Sequence, residues 1–275
     1  MPAELRAAAV TLDAVLGGRL HLRQPRQGHR FGHDAILLAA ACPARPREHA
    51  VDLGAGVGAA GLALAARVPG AAVTLVELDP ELATLAASNA EANAFSDRVK
   101  VVVLDVTKPA GAFSEAGLSA ETADHVLMNP PFNDPAQTQS SPARQRRLAH
   151  VAPAGTLDTW IAAAARLLRP HGTLTLIWRA DGLGNVLAAL ACGFGTIAVL
   201  PVHAKPDAAA VRVLVRATKA TRAPLALLPP LCLSDGHGHP TPEAEAVLRA
   251  GAPLMPSANA YAPFEASHVE NSYGA

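Results

Sequence analysis

A chain of 275 residues, half of them hydrophobic, carries enough apolar mass for one large core or two smaller ones. Only 17% of its residues are charged and 23 basic residues balance 23 acidic ones, so no global field draws it to nucleic acid or to a membrane surface, and any such contact has to be local. Cys42, Cys192 and Cys232 lie far apart without CxxC spacing, no leader-like N-terminus or apolar run of bilayer length is visible, and a soluble cytoplasmic protein is the expectation.

Residues 1–45 read as a forecourt. Hairpin strands are expected around Leu20-His21-Leu22, and Gly28-His29-Arg30-Phe31-Gly32-His33-Asp34 leads into an apolar helical stretch over 35–41. Asp34 stands where it could cap that helix. From residue 50 to about 218, short apolar runs alternate with Ala/Leu-rich helical segments, the pattern of βαβ units around a parallel sheet. Strands are predicted near 50–53, 73–77, 99–104, 124–128 and 173–178, with helices near 59–67, 80–93 and 157–168. Pro80 suits the first turn of its helix, where a missing N–H costs nothing. A helix near 183–191 closes at Cys192-Gly193, and 197–202 and 210–218 read as an antiparallel strand pair. The expected architecture is α/β, a mostly parallel sheet with helices on both faces. Residues 251–275, rich in Pro and small side chains, read as a poorly ordered or partner-bound tail.

Val51-Asp52-Leu53-Gly54-Ala55-Gly56-Val57-Gly58 is a glycine loop between a strand and a helix. Glycines are needed there because the chain turns tightly and its backbone approaches a ligand with no Cβ in the way. The loop alone fits a dinucleotide as well as another nucleoside cofactor, and Glu77, ending the second strand, would hold a ribose diol of either. Asp52 could orient the loop or reach the ammonium group of an amino-acid cofactor, and Asp105 could accept from an adenine amine. So many acids do nothing for a pyrophosphate, which favours S-adenosylmethionine over NAD. The expected contacts are Asp52, Gly54, Ala55, Gly56, Gly58, Glu77, Leu78, Asp105 and Val106. The structural alternatives are that Asp52 satisfies loop amides, Glu77 or Asp79 caps the helix at Pro80, and Asp105 is a turn residue.

Asn129-Pro130-Pro131-Phe132 directly follows the apolar run 125–128. An exocyclic amine on an aromatic ring is a poor nucleophile, its lone pair being delocalised into the ring. Acceptance of its two N–H groups by the Asn129 side chain and the Pro130 carbonyl would aim that lone pair at a methyl donor, and the prolines would hold the acceptors rigid. Phe132 would stack on the flat substrate group. Asn129 is therefore expected at both the catalytic and the cofactor site. The alternative is a simple turn.

Asp52-x-Gly54-x-Gly56-x-Gly58, the acid at the end of strand two and Asn129-Pro130-Pro131-Phe132 resemble class I methyltransferases that modify amino groups. The element Arg30-Phe31-Gly32-His33-Asp34-Ala35-Ile36-Leu37-Leu38 narrows the resemblance to the bacterial tRNA (adenine-N6)-methyltransferase family acting on adenosine 37 of valine tRNA. The similarity runs from about residue 25 to 250. It implies a Rossmann-like seven-stranded sheet with the last strand antiparallel, a methyltransferase domain over 46–250, S-adenosylmethionine as cofactor, a tRNA partner, and Asp34 over the methionine end of the cofactor. His33 departs from the small or hydroxyl residue often found there in relatives. Methylation of a protein glutamine amide, of another RNA, or a non-catalytic nucleotide- or RNA-binding role are the alternatives.

Arg144, Arg146 and Arg147, in the long insertion after the motif, could meet RNA phosphates or simply be solvated. Asp235-Gly236-His237-Gly238-His239 reads as a surface turn, so no metal is expected. Trp160 and Trp178 read as core residues.

Overall fold

The computed structural model describes residues 10–27, 30–131 and 156–255. A hairpin opens it, β1 (Val10–Val15) pairing antiparallel with β2 (Leu20–Pro25). Helix α1 (His33–Ala41) follows. Then come β3 (His49–Leu53), α2 (Ala59–Arg67), β4 (Ala72–Glu77), α3 (Pro80–Ala92), β5 (Val99–Val103), α4 (Ala110–Glu115) and β6 (Ala123–Met128). After the insertion the chain continues with α5 (Thr156–Leu167), β7 (Leu168–Arg179), α6 (Leu183–Leu190), β8 (Phe194–His203) and β9 (Ala210–Lys219). Two-residue strands β10 (Ala226–Leu227) and β11 (Leu231–Cys232) and helix α7 (Pro242–Leu248) complete the described part.

The main sheet has the order β10-β8-β9-β7-β6-β3-β4-β5, with β11 also paired to β8. β9 runs antiparallel to both β7 and β8, while every other pairing is parallel. The seven principal strands therefore match the expected sheet. The two short strands extend it to nine, and two residues are too few to leave a period-2 signal in a sequence.

The central strands read as unbroken apolar runs because they are covered on both faces. One face packs α1, α2, α3 and α7 through Leu37, Leu38, Leu62, Leu64, Ala86 and Val247. The other packs α4, α5 and α6 through Phe113, Ile161, Ala164, Val186 and Leu190. The alanine richness of α1 and α2 lets backbones come close: a Cβ on Gly61 would sit 2.3 Å from Leu75 Cδ2. Asp79 caps α3 by accepting from Glu81 N at 2.8 Å, with Pro80 in the first turn, and Thr241 caps α7 from Ala244 N at 3.1 Å.

Strand order reverses at β3, which has β4 on one side and β6 on the other. Register pairs Asp52 with Leu127 and Leu53 with Met128. Gly54 and Asn129 thus leave adjacent strand ends side by side, at the crevice where open α/β sheets bind ligands.

Candidate active site

The glycine loop is held from below. Gly54 N and Ala55 N both donate to Val76 O at 2.9 Å, and Gly58 N donates to Ala55 O at 2.8 Å. Gly54, Gly56 and Gly58 take φ of 70°, 58° and 88°, left-handed values that a side chain strains to adopt. Gly54 has a second reason to be glycine, since a Cβ there would lie 2.4 Å from Trp160 Cη2. Trp160, on α5, is buried as the sequence led us to expect, and it also roofs the start of the loop.

Asp52 is 2% exposed and accepts from Gly61 N at 2.8 Å, tying β3 to the first turn of α2. Burial pushes its carboxyl up to about 7, with the Gly61 amide opposing that shift and the Glu77 charge adding to it. The bond reaches the helix that follows the loop and no amide of the loop itself. Glu77, also buried, accepts from Gly56 N at 2.7 Å through one carboxylate oxygen and from Asp79 N at 2.8 Å through the other. Each oxygen retains a lone pair, so the carboxylate braces the loop and still has acceptor capacity for a diol. Helix capping at Pro80 falls to Asp79, not to Glu77.

Leu78 is 55% exposed and Val103, paired with Glu77 in the neighbouring strand, is 54% exposed. Both are apolar side chains left open near a buried acid. Asp105, half-buried, accepts from Thr107 N at 2.9 Å and Thr107 Oγ1 at 2.7 Å, a local turn that leaves its other oxygen unused by either bond. Val106 beside it is buried.

Asn129 is half-buried, with Pro130 buried and Pro131 half-buried after it. Its Oδ1 is shielded from solvent and has no hydrogen-bond partner among the described residues. Leaving such an acceptor unmet costs about 1–3 kcal/mol. Phe132 and the arginines Arg144, Arg146 and Arg147 lie outside the described residues.

Asp34 lies in the first turn of α1, but the capping position is Gly32 and Asp34 makes no cap bond there. It instead accepts from Arg212 Nε at 2.8 Å, joining α1 to β9 at the crevice end of the sheet. The capping reading of Asp34 is thereby replaced by an ion pair. Arg212 went unseen in the sequence because 178 positions separate it from Asp34. Asn89 was missed too. It is fully buried on α3 and donates to Val57 O within the glycine loop at 3.0 Å. Asp235 accepts from His237 N and His239 N at 2.8 and 2.9 Å, as a turn residue does, and no group of His, Cys, Asp and Glu suited to a metal occurs among the described residues.

The glycine cradle, the buried acid near open apolar side chains and the orphaned amide oxygen fit a nucleoside cofactor bearing an amino-acid arm. Residues 30–182 match the methyltransferase small domain. The tRNA1(Val) (adenine(37)-N6)-methyltransferase of Porphyromonas gingivalis is 34% identical over 172 residues, 61% of this chain and 66% of that protein. The chain thus spans just under two thirds of that relative's length. The release factor glutamine methyltransferase of Chlorobaculum tepidum is 31% identical over 163 residues, 57% of this chain and 54% of that protein. Among solved structures, a predicted O-methyltransferase from Agrobacterium tumefaciens superposes with a TM-score of 0.70 at 35% identity, covering 82% of this chain and 99% of that one.

Proposed function

The chain belongs to the methyltransferase small domain family, and on that premise we propose that it methylates N6 of an adenine in tRNA with S-adenosylmethionine as donor. The observation that carries this reading is the orphaned Asn129 Oδ1, shielded at the end of β6 and side by side with the glycine loop. The name of the Porphyromonas gingivalis relative supports adenine in tRNA as the acceptor.

When bound, the donor supplies an electrophilic methyl group on a sulfonium. The chain's own part is to place both partners. Gly54, Gly56 and Gly58 would open the cradle, Glu77 would receive the ribose hydroxyls, Leu78 and the backbone at Val106 would border the adenine, and Asp105 would accept from its amine. Asp34, paired with Arg212, would lie toward the methionine end, and buried Asp52 would act indirectly by tying β3 to the helix after the loop. Asn129 Oδ1 and the Pro130 carbonyl take the two N–H groups of the acceptor amine and turn its lone pair toward the methyl. Proton loss follows transfer, when the amine is cationic and acidic, so no strong general base is needed. Phe132 stacks on the base, and Arg144, Arg146 and Arg147 meet the phosphates of the folded RNA. The tRNA reading carries a cytoplasmic location with it.

A carboxamide nitrogen of a protein glutamine offers the same two N–H groups to Asn129 and Pro130, and the Chlorobaculum tepidum relative keeps that acceptor as the second reading. The experiment supplies labelled S-adenosylmethionine with unmodified tRNA, with a release factor, and with neither. N6-methyladenosine in the digested tRNA is the expected product. Label in the release factor alone would replace the tRNA reading with the glutamine one, and label at an oxygen would dismiss the amine mechanism.

A further inference from the structure

Asn89 of α3 and Asn93, the C-cap of that helix one turn later, grip the free edge of β2. Asn93 accepts from His21 N at 2.9 Å and donates to His21 O at 2.7 Å. Asn89 treats Arg23 in the same way, at 2.8 and 2.9 Å. Four residues of helix rise about 6 Å and two residues of strand about 6.6 Å, so the two side-chain amides fall into register with the strand and stand in for a third strand of the hairpin. Beyond this shared task the two residues part. The second amide hydrogen of half-buried Asn93 returns to Asn89 O at 2.7 Å, within the helix it caps. That of fully buried Asn89 crosses to Val57 O at 3.0 Å, between the left-handed Gly56 and Gly58.

We propose that Asn89 is a positioning residue of the cofactor site, which uses the hairpin as a brace to hold the Val57 carbonyl and so keeps the Gly56–Gly58 turn in its receiving shape. The proposal rests on the cofactor reading above. Glycines on either side of Val57 leave the peptide units free to rotate, and three bonds remove that freedom: Gly56 N to Glu77, Gly58 N to Ala55 O, and Val57 O to Asn89. The first two hold N–H groups. Asn89 holds the carbonyl, and a loop ordered before the ligand arrives loses less entropy on binding.

The test compares Asn89→Ala with Asn93→Ala in the full chain, since both release the hairpin edge and only one releases Val57. Three quantities are read: melting temperature, affinity for S-adenosylhomocysteine by calorimetry, and amide hydrogen exchange of residues 54–58 without ligand. Both variants should melt lower. Asn89→Ala alone should weaken S-adenosylhomocysteine by about tenfold and speed exchange at Gly56 and Gly58, while Asn93→Ala keeps wild-type values within about twofold. Should Asn89→Ala not fold, Asn89→Ser leaves room for a water to satisfy Arg23 while still breaking the direct grip on Val57, and the same differences are expected. Equal losses in the Asn89 and Asn93 variants, or unchanged affinity and exchange in the Asn89 variant, would overturn the proposal. A wild-type chain that fails to bind S-adenosylhomocysteine would sink the cofactor reading instead, and exchange in the ligand-free protein would still report on the Asn89 grip.

Discussion

Asn129 and Asp52 are both polar groups in apolar surroundings, and each holds its place at a cost to stability. The shielded Asn129 Oδ1 lacks a partner among the described residues, so Asn129→Ala should leave the melting temperature unchanged or slightly higher, because an unsatisfied acceptor is removed with little packing. Methyl transfer in a single turnover should fall by about 100-fold or more, while S-adenosylhomocysteine still binds, since the lost interaction is one made to the amine during transfer. Near-normal transfer by this variant would reduce the motif to a turn. At Asp52 the effect is one of protons. Its carboxyl is raised from 3.8 to about 7, so the folded state binds a proton more readily than the unfolded chain does. Stability is therefore lost as pH climbs from about 4 to 7, and the full penalty, on the order of a few kcal/mol, is present above 7. Asp52→Asn keeps an acceptor for Gly61 N and cannot ionise. It should be more stable than the wild type at pH 8, with the advantage shrinking to nothing by about pH 4, as read from denaturant unfolding across that range. A constant difference between the two proteins at all pH values would count against a buried, titrating Asp52.

At the scale of elements, much of the site was legible because it follows from strand ends. Apolar runs fixed β3 to β6, a glycine cluster had to follow β3, and Asn129-Pro130 had to follow β6. Parallel register then puts those ends side by side. What could not be read was contact between distant segments. Nothing local marks Arg212 as the partner of Asp34, or Asn89 as the holder of Val57. Trp160 looked like core, and its packing over Gly54 depends on how α5 crosses the sheet after a long insertion. β10 and β11 are too short to show periodicity. The Gly54–Trp160 contact predicts an asymmetry between loop and helix. Gly54→Ala combines a left-handed φ, about 1–2 kcal/mol for a side chain, with a Cβ 2.4 Å from the indole, so destabilisation of at least about 2 kcal/mol is expected in urea. Combining it with Trp160→Phe, which withdraws the outer ring, should recover part of that loss relative to the sum of the single changes, and a double-mutant cycle measures the recovery. Additive losses would show that φ alone makes Gly54 necessary.

Over the whole molecule, 23 basic and 23 acidic residues cancel, so the tRNA substrate proposed above would require a local concentration of positive charge. Several stretches supply one: residues 208–234 hold Arg212, Arg216, Lys219 and Arg222 with no acid, and two more lie ahead of the glycine loop and after the Asn129 motif. Residues 10–33 contain Arg19, Arg23, Arg26 and Arg30 against Asp13 alone, and residues 132–155 contain Arg144, Arg146 and Arg147 against Asp134 alone. The stretch over 10–33 is engaged within the protein: Arg30 pairs with Asp13 at 3.0 Å, Arg19 donates to Ala250 O at 2.6 Å, and Arg26 donates to Val10 O at 3.3 Å. The stretch over 132–155, outside the described residues, follows the Asn129 motif directly in sequence. Replacing Arg144, Arg146 and Arg147 together with Ala should therefore weaken tRNA binding and lower the slope of log affinity against log salt by about 2–3, near 0.7–0.9 for each phosphate contact removed. S-adenosylhomocysteine affinity and melting temperature should stay at wild-type values, which separates a lost RNA contact from a damaged fold. The measurement is a tRNA titration at several salt concentrations with a cofactor titration alongside. An unchanged salt slope would make these arginines solvated surface, and the glutamine acceptor would then gain ground over the tRNA one, since a peptide substrate asks nothing of a phosphate-binding cluster.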